Sequence, residues 1–241
     1  MRDLLREAWA QRCACLCLTL VLLPLVPQPA HAVVGPKLQA QGWREIANPN
    51  KAENAYNATP EGAIEVVSQN SVSTLYKPVH AKIEERPMLS WRWRVEEPAP
   101  ATDLSVKGED DCSLAVYVGF PYDPAQASFL ERLKRPFVES WAGEDAPGRV
   151  LRYVFCGRHQ PGEVVESPYL GAAGFIRVLR PANSPTGEWF TEQVDLAADY
   201  RLAFGEEPPD PTQIAIQADT DNTQSASRAL VADLAFTPRP G

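Results

Sequence analysis

Histidine, basic runs and long apolar runs are what this sequence has least of. There are three histidines in 241 residues, and one of them, His31, falls in an N-terminal leader. His80 follows a Pro-Val strand end and His159 sits in a turn over 157–162, so both read as surface or turn residues. Neither stands at ligand spacing to a cysteine, which leaves no recognisable zinc site, and two histidines leave little room for Ser-His-Asp chemistry. No nucleophile elbow, phosphate-binding glycine loop or zinc-protease helix is present. The chain is acidic and has no basic run, so nucleic acid and anionic lipid are poor candidates as partners. There is no internal repeat, heptad pattern or low-complexity linker.

The longest apolar stretch, 13–26, is shorter than the ~20 residues that span a bilayer, and Pro24 interrupts it. Arg2, Arg6 and Arg12 precede or open it, and Ala30-His31-Ala32 follows as a small-x-small cleavage site. These are the three parts of a secretory signal peptide. Residues 1–32 are therefore expected to be removed, leaving 33–241 as a single domain in the periplasm or outside the cell, with no stable membrane insertion. Taking the leader's three arginines and two acids from the 23 basic and 31 acidic residues leaves 20 and 29, a net charge of −9. Three of the five cysteines also leave with it. Cys112 and Cys156 remain, and an oxidising compartment favours one disulfide between them. Such a bridge closes a loop worth roughly 3–4 kcal/mol in the chain-entropy picture. The other reading is two buried thiols on separate strands.

What the chain has in abundance is short apolar segments of period two, punctuated by Pro, Gly, Asn and Asp. That pattern predicts an all-β fold, an antiparallel β-sandwich with one or two short helices. Strands are expected at 63–67, 73–79, 89–95, 112–120, 150–156, 175–179, 188–194, 213–218 and 229–236. In the strand at 89–95, Leu89, Trp91, Trp93 and Val95 share one face and Ser90, Arg92 and Arg94 the other. Core packing of both tryptophans is the simpler reading, stacking on a sugar the other. Along 112–120, Cys112, Leu114, Val116, Val118 and Phe120 fall on one face, opposite Asp111, Ser113 and Tyr117. Residues 125–141 are expected to hold a short helix and loop broken at Pro136. A second helix is expected over 195–204, capped by Asp195 and ended by Gly205, with Leu196, Tyr200 and Phe204 on one face.

Two polar runs stand out. Asp219, Asp221 and Asn222 can offer oxygens to a hard cation such as calcium, although the run lacks the glycine and glutamate of an EF-hand loop. The alternative is an Asx-rich turn that holds its own backbone. Glu109-Asp110-Asp111 lies at the start of a strand and could act with Asp219 and Asp221 if the strands are neighbours. Paired carboxylates serve glycoside hydrolysis; a solvated strand start is the plainer account. Arg92, Arg94, Asp111, Ser113, Tyr117, Gln217 and Asp219 could share the outer face of one sheet, as a polar ligand groove or as an ion-pair network. Asp233 interrupts the last strand, and plain exposure explains it most simply.

Three longer runs carry a resemblance. They are Pro87-Met88-Leu89-Ser90-Trp91-Arg92-Trp93-Arg94-Val95, then Asp110-Asp111 with Val116-Tyr117-Val118-Gly119-Phe120. The third is Asp199-Tyr200-Arg201 with Phe204-Gly205, Ile214-Ala215-Ile216 and Asp219-Thr220-Asp221-Asn222-Thr223. Together they resemble the bacterial family called domain of unknown function 3047, over roughly 43–236. The resemblance implies an exported jelly-roll-like β-sandwich, similar to carbohydrate-binding and galactose-binding-like domains, and implies no activity. Cys156 departs from the family pattern.

The expectation is thus a non-catalytic protein that binds a glycan or a small polar ligand. Asp110, Asp111, Asp219, Asp221 and Asn222, with Tyr117 and Gln217 beside them, would carry the binding, with calcium as a candidate cofactor. Arg92 and Arg94 would meet polar groups of the ligand. A glycan hydrolase and a structural or partner-binding envelope protein are the alternatives. A hydrolase needs two carboxylates facing across one cleft, about 5–10 Å apart. A lectin-like module needs an exposed aromatic beside the acids or a well-ligated metal. A structural role would consume the acids in bonds to backbone N–H groups and arginines.

Overall fold

The computed structural model describes residues 34–125 and 146–240, with a few isolated positions between them. The leader expected at 1–32 lies outside the described residues, as does most of the helix and loop expected over 125–141.

Two sheets stack face to face. The larger has seven strands in the order β1 (Arg44–Ala47), β4 (Val72–Pro78), β11 (Gln213–Asp219), β6 (Cys112–Phe120), β7 (Arg149–Phe155), β9 (Gly171–Arg180) and β8 (Val164–Ser167). The smaller runs β10 (Phe190–Asp195), β5 (Met88–Glu97), β12 (Ala226–Thr237), β3 (Ile64–Gln69) and β2 (Ala55–Ala58). Among the named strands every pairing is antiparallel except β7 with β9. Among the described residues no helix is long and apolar enough to cross a membrane.

Each expected strand is present. The strands not foreseen, β1, β2 and β8, all lie at sheet edges, where half-exposed residues leave no clean apolar alternation to read.

The core lies between the sheets. Leu89, Trp91, Trp93 and Val95 of β5 are buried there against Leu114, Val116, Val118 and Phe120 of β6. Trp91 and Trp93 meet edge to face at 5.3 Å between centroids, and Trp93 meets Phe155 at 5.6 Å. Side chains of this size contribute roughly 2–3 kcal/mol each on burial, so this aromatic row is the main apolar anchor of the sandwich. Both tryptophans are core residues and are not available to a sugar.

Cys112 corrects the reading of β6. The pairing of β11 with β6 slips between Gln217 and Asp219, so that Gln217 faces Ala115 while Asp219 faces Cys112. This bulge turns Cys112 away from the main core. It packs instead with Leu104, Ala115, Val154, Cys156, Ile176 and Val178 on the outer side of the larger sheet. Cys112 and Cys156 are disulfide-bonded across 44 residues, fastening the start of β6 to the end of β7. The loop before β6 lies over the bridge through Leu104. Gly157 permits this: its φ is +79°, and a Cβ there would come within 2.7 Å of Leu104.

Helix α1 covers Pro36–Ala40 and helix α2 covers Leu196–Phe204. The second is capped as expected. Asp195 accepts from Ala198 N at 2.9 Å, and Gly205, at φ +71°, sends its N–H to Arg201 O. Tyr200 packs on Phe120 and Phe204.

Candidate functional site

The two acidic runs meet at one end of the larger sheet, where β11 finishes beside the start of β6. Asp111 is fully buried, and each of its carboxylate oxygens accepts twice. Oδ1 takes Asn222 N at 3.2 Å and Asn222 Nδ2 at 3.1 Å. Oδ2 takes Thr223 N at 2.8 Å and Thr223 Oγ1 at 2.6 Å. The 219–224 run does form a turn, but the carboxylate that holds its backbone is Asp111, from far along the chain, and not an Asx side chain of the run itself. Thr220 ties the same turn to the other sheet through Ser68 Oγ at 2.7 Å and Ser71 O at 3.1 Å. Asn222 presents its amide nitrogen to the cluster.

Asp219 and Asp221 are placed differently from Asp111. One carboxylate oxygen from each of the three lies within 4.8 Å of the others. Asp221 is ion-paired with Lys51. Asp219 is 8% exposed and its Oδ1 has no hydrogen-bond partner. Burial pushes its carboxyl up to about 8; Arg152 opposes the rise, and the charges of Asp111, Asp221 and Asp110 add to it.

From this corner a polar strip crosses the outer face of the larger sheet. Inward residues of β11, β6 and β7 are apolar, so their outward neighbours Gln217, Tyr117 and Arg152 come side by side, Tyr117 opposite Arg152 in register. The Arg152 guanidinium stacks over the Tyr117 ring at 5.3 Å, and Nε and Nη2 have no hydrogen-bond partner. Burial pushes the Tyr117 hydroxyl up to about 12. Asp110 is buried, with Oδ1 unpartnered. Beside it stands Tyr169, 48% exposed, with Lys107 Nζ 5.1 Å from its ring; burial and the Asp110 charge push the Tyr169 hydroxyl up.

Arg92 and Arg94 do not join this strip. They belong to β5, in the other sheet, so the single outer face expected from the sequence is divided between two faces of the molecule. There Arg92 pairs with Asp233 at 2.6 Å and Arg94 with Glu96 at 2.6 Å, with both guanidinium groups against Trp189 at 5.1 and 5.2 Å. The ion-pair reading holds for those two arginines. Ser113, beyond the bulge, is buried and accepts from Ala99 N at 2.9 Å. Glu109 is exposed.

Arg152, Tyr169 and Lys51 were not singled out from the sequence. Arg152 had a signal, a lone charge inside the apolar strand 150–156. Tyr169 lies in the short turn between β8 and β9, and nothing in its neighbours marks it.

The fold is a two-sheet β-sandwich of jelly-roll type carrying a buried acidic corner and a polar strip on one sheet. The chain matches the family described as "Protein of unknown function (DUF3047)" over residues 41–235, and it belongs to that family. No curated protein matches it. Among solved structures it is similar to the xyloglucanase domain of NopAA, a type three effector from Sinorhizobium fredii, at 8% identity and TM-score 0.44, covering 83% of this chain and 95% of that one. It is similar to endoglucanase cel12A from Rhodothermus marinus at 13% identity and TM-score 0.45, covering 82% and 92%. A CBM4 structure gives 12% identity and TM-score 0.33, covering 83% and 96%.

Proposed function

We propose that this protein is a non-catalytic binding module for a carbohydrate or cell-envelope glycan, working outside the cytoplasm. The ligand lies on the outer face of the larger sheet. The observation that carries the reading is the half-exposed Tyr169 ring beside the buried Asp110, at the end of a strip holding Tyr117, Arg152, Gln217 and Asp219. A pyranose has an apolar C–H face that stacks on an aromatic ring and hydroxyls that both donate and accept. On the strip the half-buried Gln217 offers an amide that both donates and accepts, while Asp110, Arg152 and Asp219, each less than a tenth exposed, lie beneath the surface and set its charge. The Cys112–Cys156 bridge, with the leader expected from the sequence of 1–32, supports an oxidising compartment.

Hydrolysis is the weaker reading of the same corner. Asp111, Asp219 and Asp221 are gathered within 4.8 Å of one another, and Asp111 is fully engaged by the turn, which leaves it no part in acid or base chemistry.

The test is titration of the mature protein with a panel of oligosaccharides by calorimetry, with a reducing-sugar assay alongside. Expected are binding without turnover and at least a tenfold loss of affinity in Tyr169→Ala at an unchanged melting temperature. Undiminished binding in that variant, or sugar release by the wild type, removes this proposal.

A further inference from the structure

We propose that the Asp219–Asp221 corner is a weak divalent-cation site, suited to calcium, in which the metal displaces the Lys51 ammonium from Asp221. The donors are carboxylate oxygens, the hard ligands that calcium takes, and they lie within 4.8 Å of one another across Asp111, Asp219 and Asp221. Four acids, Asp110, Asp111, Asp219 and Asp221, gather here, met by Lys51 on Asp221 and by the Arg152 charge. A separate observation points into the corner. Asp219 is more than nine-tenths buried, yet its Oδ1 has no partner, an arrangement that costs free energy unless something positive meets it.

The roles divide by what each side chain has left to give. Asp111 has both oxygens filled by donors from Asn222 and Thr223, so it contributes charge and holds the turn in place. Asp219 and Asp221 are the direct ligands. Two carboxylates, with a lysine competing for one of them, set the affinity in the weak range of extracellular modules, Kd about 0.1–1 mM. Lys51 is half exposed, so its ammonium can leave for solvent.

The experiment uses calcium alone, which separates it from the glycan reading. The mature protein is stripped with chelator and its melting temperature followed as calcium is raised to about ten times the weak end of that range. A saturable rise is expected in the wild type. Lys51→Gln, which removes the competitor, is expected to bind about fivefold tighter, the equivalent of one partly exposed ion pair. Asp219→Asn is expected to lose the calcium response while melting no lower than the wild type without metal, because it replaces a carboxyl whose ionised form is disfavoured by burial and the neighbouring acids. Asp221→Asn serves as a second variant, also without the response. Absence of a calcium-dependent rise in both the wild type and Lys51→Gln overturns the proposal. So does a full response in the two Asp→Asn variants.

Discussion

Asp111 shows how far one buried carboxylate can organise its surroundings. Four hydrogen bonds converge on it from Asn222 and Thr223. Bonds to a charged acceptor are worth more than neutral ones, and their loss strands two backbone N–H groups. Asp111→Ala is expected to cost about 3 kcal/mol in urea unfolding, with Asp111→Asn between it and the wild type. The sequence made the turn at 219–224 visible through its Asx residues but not its anchor, because the anchor lies across the sheet and only pairing of β6 with β11 brings it near. Asp233 taught the opposite lesson. It is exposed, as expected, and it also stands at φ +58° where the pairing of β12 with β5 slips. Only a residue that tolerates the left-handed region fits there. Asp233→Ala should therefore cost about 1 kcal/mol more than Asp233→Gly, since both lose the exposed Arg92 pair equally. Chemical denaturation of the two variants measures that difference.

At the scale of elements, α2 was legible from end to end, because caps are local: Asp195 and Gly205 act on residues within one turn of themselves. What lay beyond reach was the contact its middle makes. Asp199 is buried under the sheet, where Tyr153 OH donates to it at 3.0 Å and Arg177 pairs with it. Burial holds its carboxyl above the usual range, although Arg177 and Tyr153 pull it down. A carboxyl raised on folding stabilises the native state fully below the unfolded value of about 3.9, and that contribution is lost as pH rises through the folded value. The melting temperature of the wild type relative to Asp199→Asn is thus expected to fall as pH is raised through the acid range. A difference that stays flat or climbs would contradict the assignment. The bulge in β6 escaped for a related reason. Period two in the sequence places Cys112 with Leu114, and only the mismatch against β11 reveals the extra residue.

For the molecule as a whole, the sequence announced a sandwich through its alternation but not which strand joins which sheet. The polar faces of β5 and β6 look alike on paper, and partition between sheets is decided by non-local pairing. The disulfide was half legible: subtracting the leader left two cysteines, yet their approach depends on the bulge. Reduction of Cys112–Cys156, which closes 44 residues, is expected to lower stability by about 3–4 kcal/mol in a denaturant melt. The strand order carries one more consequence. β12 sits between β5 and β3, and β11 between β4 and β6, so the final two strands of the sandwich are interior members of the two sheets. Until β12 arrives, the smaller sheet is only the ribbons β10–β5 and β3–β2, and isolated two-stranded ribbons are marginal in water. Strand β12 is therefore the keystone of the smaller sheet: truncation before residue 226 is expected to remove that sheet as a unit rather than to trim its edge.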